Sequence, residues 1–113
     1  IINISSAYSF LSKEGRSVYS STKAGLDALT RSLAVEFSKD NILTNSVAPG
    51  FVDTELTKQN NTNAEIKQLC NKIPIKRLAT PNEIAKIVFF LASKENTYIS
   101  GQTIVVDGGF SKV

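Results

Sequence analysis

The sequence predicts an α/β fold: a parallel sheet of three strands joined by crossover helices. Two observations carry this. Three short β-branched runs each end in small polar residues or a proline–glycine pair. Helical periodicity fills the interval between each successive pair of runs. Because no repeat, linker or low-complexity stretch interrupts this rhythm, the chain reads as one unit.

Ile1 to Ser5 is the first strand, short and β-branched. Ser6 to Ser17 is loop-like, with several serines, Gly15 and mixed charge. From Tyr19 to Ser38 apolar residues recur at helical steps (Leu26, Leu29, Leu33, Phe37), while Ala24, Gly25 and Ala28 make a narrow face suited to close approach by a neighbour. Asp40 and Asn41 end that helix. Ile42 to Val47 is the second strand, stopped by Pro49 and Gly50. Phe51 to Asn63 reads as polar and irregular. A weaker helix follows from Ala64 to Asn71, with Ile66, Leu69 and Cys70 on its apolar side, and Pro74 breaks it. Thr80-Pro81-Asn82-Glu83 is a helix start: threonine at N-cap, proline in the first turn, and a glutamate that can return a bond to the cap. That helix runs to Ser93 and is apolar on most sides (Ile84, Ile87, Val88, Phe89, Phe90, Leu91), so it is expected to be buried between layers. Gln102 to Val106 is the third strand, and Asp107-Gly108-Gly109 turns the chain out of it.

At 113 residues the chain is one domain or part of one. It has no methionine and opens directly on a strand, so the expectation is a segment of a longer chain, the edge half of a larger doubly wound sheet. With no histidine and a single cysteine, Cys70, a histidine-based triad, a disulfide and a metal cluster are all excluded. Thirteen basic residues against ten acidic leave a net charge of +3, but the three arginines (Arg16, Arg31, Arg77) are far apart. A phosphate-tracking protein would show a basic stripe, so no nucleic-acid partner is expected. The densest basic stretch, Lys67 to Arg77, suits either a solvated surface or an acidic substrate. The longest apolar run, Ile87 to Ala92, is too short to cross a bilayer, and there is no charged-then-apolar leader. The expected compartment is therefore the cytoplasm, away from any membrane.

Tyr19 and Lys23 are four apart at the start of a helix, one turn apart on one face. A phenol titrates near 10, and a neighbouring ammonium favours its phenolate. The pair can move protons without histidine. Spacing alone also allows a surface tyrosine lying over a lysine stem.

The surrounding motifs narrow the choice. Asn3-Ile4-Ser5-Ser6 closes the first strand, Tyr19-Ser20-Ser21-Thr22-Lys23-Ala24-Gly25 opens the helix, and Asn45 to Thr54 contains Pro49-Gly50-Phe51-Val52-Asp53-Thr54. Ile99-Ser100-Gly101-Gln102 and Val106-Asp107-Gly108-Gly109 follow. In order and spacing this series resembles the carboxyl-terminal half of a short-chain dehydrogenase/reductase, closest in flavour to the 3-oxoacyl-carrier-protein reductases, over essentially the whole chain. The resemblance implies the carboxyl-terminal part of a doubly wound Rossmann fold, with residues 1–113 as its catalytic half. It implies an oxidoreductase that uses NAD or NADP to interconvert a small-molecule carbonyl and a secondary alcohol, assembled as a homodimer or homotetramer. Tyr19 would be the general acid/base. Lys23 would favour the Tyr19 phenolate and bind the nicotinamide ribose. Ser6, thirteen residues before Tyr19, would hold the substrate oxygen in preference to its neighbour Ser5. Pro49, Gly50, Val52 and Thr54 would pass the nicotinamide, with Val52 and Thr54 contacting its carboxamide. Pro49-Gly50 read by itself is equally a turn, and Asn45 serves strand geometry. Glu55 to Lys76 would be a substrate flap, its Leu56, Ile66, Leu69 and Ile73 either lining a pocket or packing the flap down.

The family's glycine-rich first turn, the residue that chooses between NAD and NADP, and the asparagine of its central helix would all precede residue 1. Two other readings stand beside this one. Ser20-Ser21-Thr22-Lys23 matches the Ser-x-x-Lys nucleophile pattern, without its companion elements. Alternatively, the chain is an inactive reductase fragment that acts only by binding a partner or a second copy.

Overall fold

The computed structural model describes residues 1–113. Its elements are β1 (Ile2–Ile4), α1 (Ser17–Phe37), β2 (Asn45–Pro49), α2 (Glu55–Gln59), α3 (Asn63–Lys72), α4 (Pro81–Ala92) and β3 (Thr103–Val106), with single 3₁₀ turns at Ala7–Ser9, Ser38–Asp40 and Phe110–Lys112. The three strands form one parallel sheet in the order β1-β2-β3, with Ile4 opposite Val47 and Pro49 opposite Val106. The α/β class and the parallel sheet are as the sequence predicts.

Three local expectations change. The second strand lies at Asn45–Pro49 rather than Ile42–Val47. Proline is tolerated at its end because Ser46 N and Gly50 N bond toward β3 whereas Asn45 N bonds toward β1, so Pro49 would donate to the β1 side, where that strand has already ended. The stretch expected to be irregular contains α2, started by Thr54, whose Oγ1 accepts from Thr57 N. Finally, α4 is not sandwiched. Leu91 is its one buried residue and Phe89 is 76% exposed, because the three-stranded sheet covers it on one side only. Its start has the expected capping box between Thr80 and Glu83, with Pro81 in the first turn.

The sheet centre is fully covered: Asn45, Ser46, Val47 and Ala48 are inaccessible. Much of the packing there is polar. On one face Asn3 Nδ2 donates to Thr30 Oγ1 (2.9 Å) and Ser46 Oγ donates to the buried Asp27 carboxylate (2.8 Å), so α1 is docked on β1 and β2 by hydrogen bonds between groups that could not otherwise be buried. Asn45 joins β2 to the entry of β3: its Oδ1 accepts from Gln102 N and its Nδ2 donates to Ile99 O. Ala24, Gly25 and Ala28 are exposed, and nothing lies within 4 Å of where a Gly25 Cβ would be. No helix is long and apolar enough to cross a membrane.

Candidate active site

Sequence order brings the site to the carboxyl ends of β1 and β2 and the amino end of α1. Ser6 follows β1 directly. It is buried and caps the 3₁₀ turn Ala7–Ser9, its Oγ accepting from Tyr8 N at 3.2 Å. A hydroxyl that accepts in this way still has its own proton to donate. Ser5 points elsewhere, its Oγ lying 3.4 Å from Lys23 O.

Tyr19 is the third residue of α1, 39% exposed, and its hydroxyl makes no hydrogen bond within the chain. Lys23 lies one turn on, with Nζ 5.8 Å from the Tyr19 ring centroid, and donates to Ile4 O at 2.8 Å. The ammonium is thus held against the end of β1 with two of its three donors unused. The Arg16 guanidinium also lies 5.8 Å from the centroid of the same ring.

Ser6, Tyr19, Pro49 and Gly50 line one chamber of about 270 Å³. Gly50 has no room for a side chain: a Cβ there would lie 2.7 Å from Asp107 Cβ and 2.9 Å from its Cα. This glycine sets the closeness of β2 and β3, so the turn-only reading of Pro49-Gly50 is incomplete. Burial pushes the Asp107 carboxyl up, but hydrogen bonds from Ser111 N and Gly109 N outweigh it and hold the group below its usual range. The Asp107–Gly109 turn also seats the flap. Gly108 and Gly109 have φ of 65° and 86°, and a Cβ on Gly108 would lie 2.7 Å from Ile75 Cγ1 and 2.9 Å from Ile73 Cγ2.

Val52 and Thr54 do not line the chamber. Val52 O accepts from Thr57 Oγ1 (2.7 Å) and Thr54 N (3.0 Å), and the Thr54 hydroxyl is spent capping α2, but the Val52 N–H has no partner. Of the four flap residues considered, Leu56 and Leu69 line the chamber, Ile73 is buried under the flap, and Ile66 does neither. In the basic stretch, Arg77 is paired with Glu83 on the wall of a separate small cavity of about 90 Å³, and Lys72 lines the larger one of about 600 Å³.

Three residues that the motif reading passed over complete the wall: Tyr8, Phe51 and Phe110. Their rings meet edge to face, at 6.4 Å for Tyr8–Phe51 and 5.0 Å for Phe51–Phe110. Burial pushes the Tyr8 phenol up, with Arg16 opposing and Tyr19 adding to the shift, so Tyr8 stays a neutral donor at neutral pH. Arg16, three residues before Tyr19, was findable from helical spacing, whereas Tyr8 and Phe110 are brought together only by the fold. The arrangement presents a neutral hydroxyl donor (Ser6), a phenol flanked by two cations, and an apolar wall. No cluster of side chains able to hold a metal is present.

The family model described as enoyl-(acyl carrier protein) reductase matches residues 1–111. The chain is 46% identical over 110 residues to the 3-oxoacyl-(acyl-carrier-protein) reductase FabG of Aquifex aeolicus, covering 96% of this chain and 44% of that protein. It is 42% identical over 112 residues to a chloroplastic tropinone reductase homolog of Arabidopsis thaliana, covering 98% and 35%. Among solved structures, a gluconate 5-dehydrogenase from Burkholderia cenocepacia, in complex with NADP and tartrate, superposes with a TM-score of 0.92 at 32% identity, covering all of this chain and 45% of that one. The chain thus spans less than half the length of the curated relatives it matches.

Proposed function

Since the chain belongs to the short-chain dehydrogenase/reductase family, we propose that it is the catalytic half of a single Rossmann domain in an NAD(P)-dependent oxidoreductase that interconverts a carbonyl and a secondary alcohol. The supporting observation is that Ser6 and Tyr19 share one chamber while the Lys23 ammonium is fixed a turn away by Ile4 O.

The site has groups suited to a nicotinamide cofactor: the unbonded Tyr19 hydroxyl, the two spare Lys23 donors, and the Val52 amide, which no other group satisfies. Pro49 and Gly50 supply the adjoining wall. The Thr54 hydroxyl is already committed to α2 and fits this role less well. When bound, the cofactor supplies or accepts the hydride.

The chain's own residues do the rest. Ser6 Oγ donates to the substrate oxygen as negative charge grows there. Tyr19 Oη gives its proton to the forming alkoxide, or takes the alcohol proton in the reverse direction. The Lys23 ammonium and the Arg16 guanidinium each lie 5.8 Å from the centroid of that ring. Through its FabG-type relatives, a 3-oxoacyl thioester is the first substrate to try. Val18, Val35 and Phe89, all more than three-quarters exposed, suit burial against a second copy, so a homodimer or homotetramer goes with this reading. The free Cys70 suits the reducing cytoplasm.

The test is Tyr19→Phe in the protein at its native length. Turnover of a 3-oxoacyl thioester with NADH or NADPH is expected to fall about 10²- to 10⁴-fold, with an unchanged melting temperature. Near-normal turnover would defeat the assignment.

A further inference from the structure

The chamber holding Ser6 and Tyr19 adjoins a larger one of about 600 Å³. Tyr8, Lys13, Phe51, Leu69 and Phe110 line both, so the two lie side by side along one cleft. Every ionised side chain on this cleft is positive: Arg16 in the inner chamber, Lys13 on both, Lys72 in the outer chamber, and no aspartate or glutamate in either. None of the three is in an ion pair, since the chain's ion pairs join Lys58 to Asp53 and Glu55, and Arg77 to Glu83. Nor does the first turn of α1, which Arg16 precedes, carry an acidic residue. Three positive side chains outside any ion pair are therefore gathered along these walls, beside apolar Phe51, Leu69 and Phe110 and the uncharged polar Thr57, Asn60 and Asn61. Such a cleft attracts an anion, and a guanidinium is suited to grip a carboxylate or phosphate with two parallel hydrogen bonds.

We propose that Arg16 and Lys13 bind an anionic group, carboxylate or phosphate, carried by the carbonyl substrate, whose apolar remainder lies along Tyr8, Phe51, Leu69 and Phe110. This rests on the reading of Ser6 and Tyr19 as the carbonyl site and adds what that site selects.

The test uses three probes that share one ketone chain: 4-oxononanoate, its methyl ester, and 4-oxononyl phosphate. Binding to the protein at its native length is measured by titration calorimetry at low and high salt, and turnover is measured in parallel. At least one anion is expected to bind about tenfold tighter than the ester, with the margin shrinking as salt rises. The better of the two anions identifies the group recognised. In the Arg16→Gln/Lys13→Gln double variant the anion-to-ester affinity ratio is expected to fall to about one, and Arg16→Lys to retain part of it. Equal affinity for ester and anions in the unaltered protein, or a preference that survives the double variant, overturns the proposal. Should ester and anions be reduced equally, with Tyr19→Phe stopping both, only the charge selection is lost. Should Tyr19→Phe change neither rate, the reductase reading falls and this proposal with it.

Discussion

Ser6, Tyr19 and Lys23 stand on strand and helix ends that the sheet grips directly, whereas the proposed flap, from Glu55 to Lys76, is held mainly by its own caps and by one buried residue near its end. On the catalytic side, α1 is tied to β1 through Asn3–Thr30 and Lys23–Ile4 and to β2 through Ser46–Asp27. On the flap side, Thr54 caps α2, Thr62 and Glu65 form a capping box on α3, and neither helix packs extensively on another element. Ile73, 2% exposed and set against Gly108, is the anchor. Under the proposed function the contrast is a division of labour: the groups proposed to move protons sit on a scaffold cross-linked over long sequence separations, which fixes their geometry, while the proposed flap is stabilised locally and can open without disturbing them.

This contrast can be broken at graded points. The largest effect is expected on the rigid side. Ser6→Ala removes a donor to the developing negative charge and should lower kcat about 10²- to 10³-fold with little change in the protection of α3 amides, checked by steady-state kinetics beside hydrogen exchange. Next comes Ile73→Ala, which empties a buried site and should cost about 2–4 kcal/mol in denaturant unfolding, with faster exchange over Asn63–Lys72. An unaffected flap would show that Ile73 is not its anchor. Thr62→Ala should cost about 1 kcal/mol by removing the α3 cap, and the faster exchange should stay inside α3. Spread into α1 would mean that the two regions are coupled.

The smallest effect is expected at Glu83, an exposed carboxylate on α4. Two bonds from the Arg77 guanidinium and one from Thr80 N hold it down at about 2. A carboxyl that is more acidic in the folded chain contributes stability above its unfolded value and loses it as pH falls. The contribution is therefore present above about pH 4.5 and disappears on going down toward pH 2. Glu83→Gln should flatten the acid limb of stability against pH in that window, slightly lowering the melting temperature at neutral pH and matching the unaltered protein near pH 2, as read by thermal melts across the range.

What was legible in the sequence was local. The Thr80–Glu83 capping box, the one-turn spacing of Tyr19 and Lys23, and the glycines of Asp107-Gly108-Gly109 all act within four residues of one another, so the chain order states them directly. Two expectations failed where local signals misled. The apolar run Ile42-Leu43 drew the second strand too early, and α2 does not show in the sequence because five residues, good helix formers though four of them are, span too few turns for an apolar period to appear.

The sequence by itself thus determined the α/β rhythm, the helix starts, and which two side chains could share a proton task, because those depend on periodicity and on short-range sterics. Only the tertiary structure decided the register of β2, set by pairing with β1 and β3 and by Asn45 reaching Ile99 and Gln102. It alone also decided the polar docking of α1, the exposure of α4, and the meeting of Tyr8, Arg16, Phe51 and Phe110 around one cleft. The reason is physical: each is a contact whose energy exists only once distant segments have come together.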